Sequence, residues 1–460
     1  MSFDSTTKQR LRMVTLMSDT ALYAGWQPLL LERVSVETLR SSAYRQFILD
    51  AVLAPGCRLL LWRHRRRPDW PYVETKFNPN TGRDLPETAY SRVYAWFLGR
   101  GSEALDDHLA WLDRIESLTA AERDAIRDLF SLWIGNMTQA LLRIAEQNGG
   151  RIPFRVNREL AGIDAAGRPQ PANAAMTGAG DIFAVKGLMS SRDASVQSRA
   201  MELFRRTVNL IRLDRFEVEQ TAQPAGRSHG PRMLVQGVGA CVSRKALDHA
   251  DREEALEVAA MFLGEILDAH YDLATGLFSE YVDPANGQRG ALLDPGHANE
   301  LVGLGLGLVE RLAPSAAGIR HAGLIARAKH ELPRLLLKAT ALGYNRRHPG
   351  LFKAVDNRTG EPLDSGMPWW NLPETMRAAV RAAAVAETEM LRDQCLDVFR
   401  LCHNAYFARY LNRDNMLFPY QTLDGQTGHV VDTVPAVPEG DPLYHANGVF
   451  LDILDVIAHL

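Results

Sequence analysis

Residues 119–150 read TAAERDAIRDLFSLWIGNMTQALLRIAEQNGG, and the spacing within this stretch decides the fold class. Phe130, Trp133, Met137 and Leu141 recur at intervals of three and four, which puts them on one face of an amphipathic helix. Thr119 with Glu122 three residues on is a capping-box signature, and Asn148-Gly149-Gly150 supplies a left-handed stop. Between these signals the sequence predicts one helix of about 28 residues.

The same period extends through the rest of the chain. Leu256, Ala259, Leu263, Ile266 and Leu267 form a second apolar stripe, and further helical patterns cover 102–115, 195–210, 301–312, 322–341, 374–390 and 395–410. Strand signals are scarce: 277–282 and 416–422 read as small hairpins on loops. The breaks at 151–180 and 220–231 are rich in Gly and Pro, but the helical pattern resumes beyond each without a change in composition. They are read as long functional loops within one domain spanning 1–460. The expected fold is all-α with short β-hairpin loops, and a closed helical toroid fits the alternation of helix and loop.

Fifty-two Lys and Arg against 55 Asp and Glu leave a net charge of −3, so no global field draws nucleic acid or an anionic membrane surface. The longest apolar run, counting Gly, is 301–309, far short of the ~18–20 residues that span a bilayer. Asp4, Lys8, Arg10, Arg12 and Asp19 interrupt the N-terminal region before a secretory hydrophobic segment forms, which gives a cytoplasmic expectation. Cys57, Cys241, Cys395 and Cys402 form no Cys-x-x-Cys pair and read as reduced, buried apolar side chains.

The densest polar cluster is Asp294-Pro295-Gly296-His297-Ala298-Asn299-Glu300, directly before the apolar pattern of 301–312. With His297 in the first helical turn, Glu300 falls on the same face, where its carboxylate could orient the imidazole. Taken alone, His-x-x-Glu reads equally as a capping histidine beside a solvated glutamate. Metal binding would need further ligands, and no second such pair or Cys-rich partner is visible in the sequence, so no metal is expected. Gly303, Gly305 and Gly307 are spaced by two and do not make a nucleotide-binding fingerprint; close helix packing is their expected role.

Four ordered motifs carry a resemblance. Phe278-Ser279-Glu280-Tyr281-Val282-Asp283, Asp294-Pro295-Gly296-His297 with Glu300, Met367-Pro368-Trp369-Trp370 with Glu374, and Pro442-Leu443-Tyr444-His445 resemble the N-acylglucosamine 2-epimerase superfamily in order and spacing. The resemblance is clearest from about residue 255 to the C-terminus. Upstream, Ser91-Arg92-Val93-Tyr94-Ala95-Trp96-Phe97 is similar to the family's arginine-bearing helix. It implies a single (α/α)6 barrel whose loops at one end enclose a sugar pocket. It also implies that His297 and His445 are the proton-transfer residues, with Glu300 supporting the former.

Chemistry makes sense of that pair. Removing a proton alpha to a carbonyl needs a base near the working pH, and returning it from the opposite face needs a second group in the acid form. Imidazole titrates near 6.5, so modest shifts can hold one ring neutral and the other charged. Neither metal nor nucleotide cofactor is chemically necessary. The resemblance makes Arg92 a donor to the carbonyl oxygen as it becomes an enolate, with a structural salt bridge as the equal alternative. Trp369 and Trp370 offer flat faces to a sugar ring, and Glu374 and Glu280 are assigned to substrate binding beside them.

Three departures qualify the match. Gly230-Pro231-Arg232-Met233-Leu234-Val235 stands where many members, notably cellobiose epimerases, carry a third histidine. Tyr444-His445-Ala446-Asn447 lacks the basic residue that often follows this histidine. Arg63-His64-Arg65-Arg66-Arg67 does not match the usual entry motif, and reads as a solvated basic face or a loop for an anionic sugar. The expected activity is a cofactor-independent sugar 2-epimerase, with an aldose-ketose isomerase of the same family as the alternative. A glycoside hydrolase using two of Glu280, Asp283, Asp294 and Glu374, and a noncatalytic sugar-binding toroid, are the readings from other classes. The expected partner is a small sugar, and a homodimer is compatible with the sequence.

Overall fold

The decisive stretch forms the longest helix among the described residues, Ala120–Gln147, with both halves of the Thr119/Glu122 capping box in place. The computed structural model describes residues 26–217, 226–413, 417–432 and 437–460. The N-terminal reading, part of the 220–231 break and the start of the 416–422 hairpin therefore lie outside the described residues.

Among the described residues twelve α-helices have nine residues or more. They are α1 (Ala54–Arg66), α2 (Ala95–Trp111), α3 (Ala120–Gln147), α4 (Ala179–Leu188), α5 (Ala194–Arg212) and α6 (Gly230–Lys245). Then follow α7 (His249–His270), α8 (Pro295–Leu312), α9 (Ala322–Gly343), α10 (Asn371–Val385), α11 (Glu389–Ala405) and α12 (Val449–Ile457). The even-numbered helices form an inner ring: each packs on the next, and α12 closes back on α2. From α3 onward each odd-numbered helix backs the inner helix before it, and α1 packs on α3. This double ring is the (α/α)6 toroid.

The period was readable where helices are two-faced. α5, α7, α8 and α9 lie where the pattern puts them, within a few residues. α4 is buried on nearly every side and carries no stripe, whereas α12 is two-faced, with Asp452 and Asp455 on its less buried side, but only nine residues long; the sequence reading anticipated neither. It also missed α1 and α6. α4 begins inside the 151–180 break and α6 inside the 220–231 break.

Three predicted boundaries are corrected. α2 starts at Ala95 rather than 102 and runs through Gly99, where a Cβ would meet the Phe183 carbonyl oxygen at 2.2 Å. A Cβ on Gly187 would in turn meet Gly99 Cα at 2.7 Å, so α2 and α4 cross backbone to backbone. The 374–390 pattern spans a corner: α10 ends at Val385, and Thr388 caps α11. The 395–410 pattern starts instead at Glu389 and closes in a π-helical turn, Tyr406–Tyr410.

The glycine run in α8 does serve packing, but against side chains. Cβ atoms on Gly303 and Gly307 would meet Arg377 at 3.1 Å and Arg381 at 3.2 Å. These arginines pair with Glu374, Asp452 and Glu310, so charged groups fill part of the ring's interior.

The strands are short and belong to the loops. Residues 277–282 do not form one hairpin: Leu277–Phe278 pairs with Tyr271–Asp272, while Tyr281–Val282 pairs with Arg227–Ser228. Thr422–Asp424 lies between Gly366–Pro368 and Val430–Val431. The four cysteines are free and buried. No helix among the described residues is long and apolar enough to cross a membrane.

Candidate active site

A cavity of about 440 Å³ opens at the end of the inner ring where α8, α10 and α12 begin. His297, Glu300, Trp369, Trp370, His445 and Glu280 all line it, so six of the eight residues singled out from the sequence converge. Glu374 and Arg92 do not line it.

His297 stands in the first turn of α8. Asp294 caps that helix: its Oδ1 accepts the His297 backbone N–H at 3.2 Å, and Pro295 fills the position where no N–H is needed. The cap residue also faces the ring, with Asp294 Oδ2 3.3 Å from His297 Nδ1. Glu280, carried in by the loop after Phe278, places Oε1 at 3.3 Å from the same nitrogen. Lys353 Nζ lies 2.5 Å from Asp294 Oδ2. Burial works against the charged ring, but Asp294 and then Glu280 outweigh it and Lys353, and hold His297 up at about 9. Nε2 has no protein partner among the described residues, so the acidic proton it carries faces the cavity.

His445 is held differently. It sits in a π-helical turn, Tyr444–Gly448, entered through Leu443 in the left-handed region at φ 62°. Its own N–H and that of Ala446 donate to Asp441 Oδ2 at 3.1 and 3.2 Å, which fixes the turn. Nδ1 donates to Glu374 Oε1 at 2.8 Å, and Nε2 accepts from an Arg100 guanidinium N–H at 3.0 Å. A guanidinium only donates and a carboxylate only accepts, so the ring is the neutral tautomer with its lone pair on Nε2. Burial, then Arg100, push it down to about 3 against the opposing pull of Asp441 and Glu300.

The two rings share one neighbour. Trp370 lies 5.5 Å from the His297 ring and 6.0 Å from the His445 ring, centroid to centroid, with Lys353 over its face at 5.2 Å. Trp369 is buried and meets His445 edge-on at 6.2 Å. Trp370 is therefore the more open of the two indoles, and Trp369 packs into the core at the cavity wall.

Four expected roles change. Glu300 makes no hydrogen bond to His297 among the described residues; its charge acts on His445, while Asp294 and Glu280 serve His297. Glu374 is fully buried and its carboxylate is taken up by His445 and Arg377, so it orients the histidine and does not meet hydroxyls. Arg92 turns away from the cavity and donates to the Ala165 carbonyl at 3.2 Å. In the 63–67 run, Arg63 pairs with Glu74 and Asp84, Arg66 with Asp84 and Arg67 with Glu87, which leaves these three no net attraction for an anionic sugar.

Sequence reasoning passed over two groups. Arg100, eight residues beyond Arg92, lines the cavity. His229, just before α6, is buried and bonds Glu280 Oε2 at 3.0 Å, on the side opposite His297. The sequence reading saw no second ligand beside His297, but His229, Glu280 and His297 bring ligand atoms within 4.8 Å of one another. They are the group among the described residues that could hold a metal ion, and here each Glu280 oxygen is engaged by one imidazole. The stretch without the family's third histidine presents Leu234 to the cavity.

The family model for N-acylglucosamine 2-epimerase (GlcNAc 2-epimerase) matches residues 196–448. Among solved structures, a D-mannose isomerase superposes with TM-score 0.61 at 13% identity over 90% of this chain and 98% of that one. A sugar epimerase from a ruminal bacterium gives 0.60 at 12% over 90% and 98%. Cellobiose 2-epimerase from Spirochaeta thermophila DSM 6192 gives 0.59 at 14% over 92% and 98%. At these identities the likeness is one of fold. No curated protein matches the chain.

Proposed function

The chain belongs to the N-acylglucosamine 2-epimerase family, a family of isomerase-class enzymes, and from that premise we propose that it epimerises a reducing sugar at C2 using His445 as base and His297 as acid. The observation that carries the assignment is the opposite proton affinity of two imidazoles lining one cavity beside one indole.

At neutral pH His445 has a lone pair on Nε2 and His297 is an imidazolium. With the sugar in its open-chain form, His445 takes the C2 proton. The C–H electrons become the C1–C2 double bond, and the carbonyl electrons move to oxygen as an enolate. His297 then returns a proton to C2 from the other face and the carbonyl re-forms, so nothing is oxidised or reduced. Glu374 keeps His445 in the correct tautomer, as a carboxylate behind a catalytic imidazole does. Trp370 receives the apolar face of the sugar between the two rings.

The carboxylates named for hydrolysis support this less well. Glu374 is closed off behind His445, and Asp294 is paired with Lys353 and caps α8. A hydrolase needs one carboxylic acid and one carboxylate flanking a bond.

The test is exchange in deuterated water, with N-acetylglucosamine, N-acetylmannosamine, mannose, glucose and fructose followed by NMR. Deuterium at C2 with appearance of the C2 epimer is the expected result. Conversion of an aldose to its ketose would move the reading to the isomerase alternative, and no exchange with any sugar would contradict both.

A further inference from the structure

The cavity holds one cation unlike its neighbours. Arg151 is paired with Asp181 and Glu217, Arg227 with Asp214, Arg232 with Asp214 and Glu265, and Lys353 with Asp294. Arg100 has no carboxylate within 4.0 Å among the described residues. Aromatic rings hold it instead: its guanidinium carbon lies 4.1 Å from the Phe183 ring centroid, 4.5 Å from Trp96 and 4.8 Å from Tyr444. A cation in such a cage keeps its charge and its position without spending its N–H groups on a counter-ion.

Those N–H groups are not fully used. Arg100 Nε is buried and has no acceptor, and one helical turn earlier on α2 Trp96 Nε1 is buried without one as well. Trp96 is 6% exposed, and both residues line the cavity. Gln421 Nε2, a third buried donor without a partner, lines it too. Leaving a buried donor unmet costs roughly 1–3 kcal/mol, so three residues lining this cavity carry donors that the protein leaves unsatisfied. The used Arg100 nitrogen donates to His445 Nε2, the lone pair of the proposed base.

We propose that Arg100 is a catalytic residue: it caps His445 Nε2 in the resting enzyme, passes to the substrate's carbonyl oxygen on binding, and stabilises the enolate formed when the freed Nε2 takes the C2 proton. The proposal rests on the two-histidine reading. It places the positive charge on the oxygen that becomes negative, next to the base, where water is displaced by rings. The transfer is a change of hydrogen-bond acceptor, so the guanidinium loses no proton. It gives Arg100 the contact that the sequence assigned to Arg92. The groups facing Arg100 and His445 are Glu374 and Arg377 on α10, Asp441 and Tyr444 ahead of α12, Glu300 on α8 and Lys186 on α4; Lys186 donates to the Tyr444 hydroxyl at 2.6 Å and pairs with Glu103.

Arg100→Lys and Arg100→Met separate the charge from the fork of donors. In steady-state epimerisation Arg100→Met is expected to lower kcat by on the order of 10²- to 10³-fold with a smaller change in KM, the pattern of an interaction made in the transition state. Arg100→Lys is expected to fall between it and the parent. In substrate-free protein, ¹⁵N NMR of His445 is expected to show its titration moving to higher pH in Arg100→Met and less so in Arg100→Lys, which keeps the positive charge. Parent-like kcat in a folded Arg100→Met enzyme, or a His445 titration unchanged in that variant, overturns the proposal. A parent enzyme that exchanges C2 deuterium with Arg100→Met at full rate defeats Arg100 alone, whereas a parent with no exchange defeats the two-histidine reading with it.

Discussion

The surroundings of His297 and His445 differ in one respect that decides their chemistry: what approaches the ring. Two carboxylates, Asp294 and Glu280, converge on Nδ1 of His297, and a lysine stands one step further back. At His445 one carboxylate sits behind the ring and a guanidinium sits in front, on the nitrogen that faces the cavity. Both rings lie in a largely buried setting that disfavours charge; only the first has enough negative charge close by to overcome it. The same side chain becomes an acid at one wall and a base at the other, and the protein needs no group with an unusual intrinsic pKa.

The comparison breaks most severely if either ring is removed. His297→Asn and His445→Asn are each expected to cut turnover by on the order of 10² or more with the fold intact, since general acid-base groups contribute ~10²- to 10⁴-fold. Single-turnover exchange of C2 label from each epimer would show whether the two losses differ by direction. Glu374→Gln comes next, at about 10- to 100-fold, because the amide can present N–H to Nδ1 and favour the wrong tautomer; kcat at pH 7 with circular dichroism as the fold control measures it.

Asp294→Asn sharpens the comparison through pH. His297 is charged below about 9, so the alkaline limb of kcat/KM is expected near that value in the parent. Removing the Asp294 charge lowers the limb toward the ordinary histidine range, so the variant loses activity at pH 8 and keeps most of it at pH 6; a limb that stays near 9 would count against Asp294. The smallest effect is expected from Glu300→Gln, a few-fold on kcat, acting on His445 through charge alone. A shift of the alkaline limb in this variant would return Glu300 to His297.

What was legible in the sequence follows the range of the interactions. His297, Glu280, Trp369, Trp370 and His445 stand in short motifs, and it is the resemblance those motifs carry that implied their convergence. The partners that tune them could not. Arg100 and His445 are 345 residues apart, and Glu374 and His445 are 71 apart, so neither contact has a local signature. The assignment of Glu300 to His297 failed because one-turn spacing fixes a shared helix face but not which neighbouring ring the carboxylate acts on. Helices such as α3 and α7 were legible from their apolar stripes and the resemblance supplied the double ring, while α4, buried all round, offered no period to read and α12, nine residues long, offered too short a one. His229 was hidden by its place before Gly230-Pro231, where a loop was expected; the fold makes that junction the start of an inner helix.

The central claim is that the two histidines carry different charges at neutral pH, and ¹⁵N NMR of the substrate-free protein, with His297→Asn and His445→Asn spectra as assignments, tests it directly. The account predicts that at pH 7 His297 shows both ring nitrogens protonated and titrates near 9, while His445 shows a neutral ring with its proton on Nδ1 and stays neutral down to the acid limit of the fold. Two neutral rings at pH 7, or a charged His445 beside a neutral His297, would contradict it.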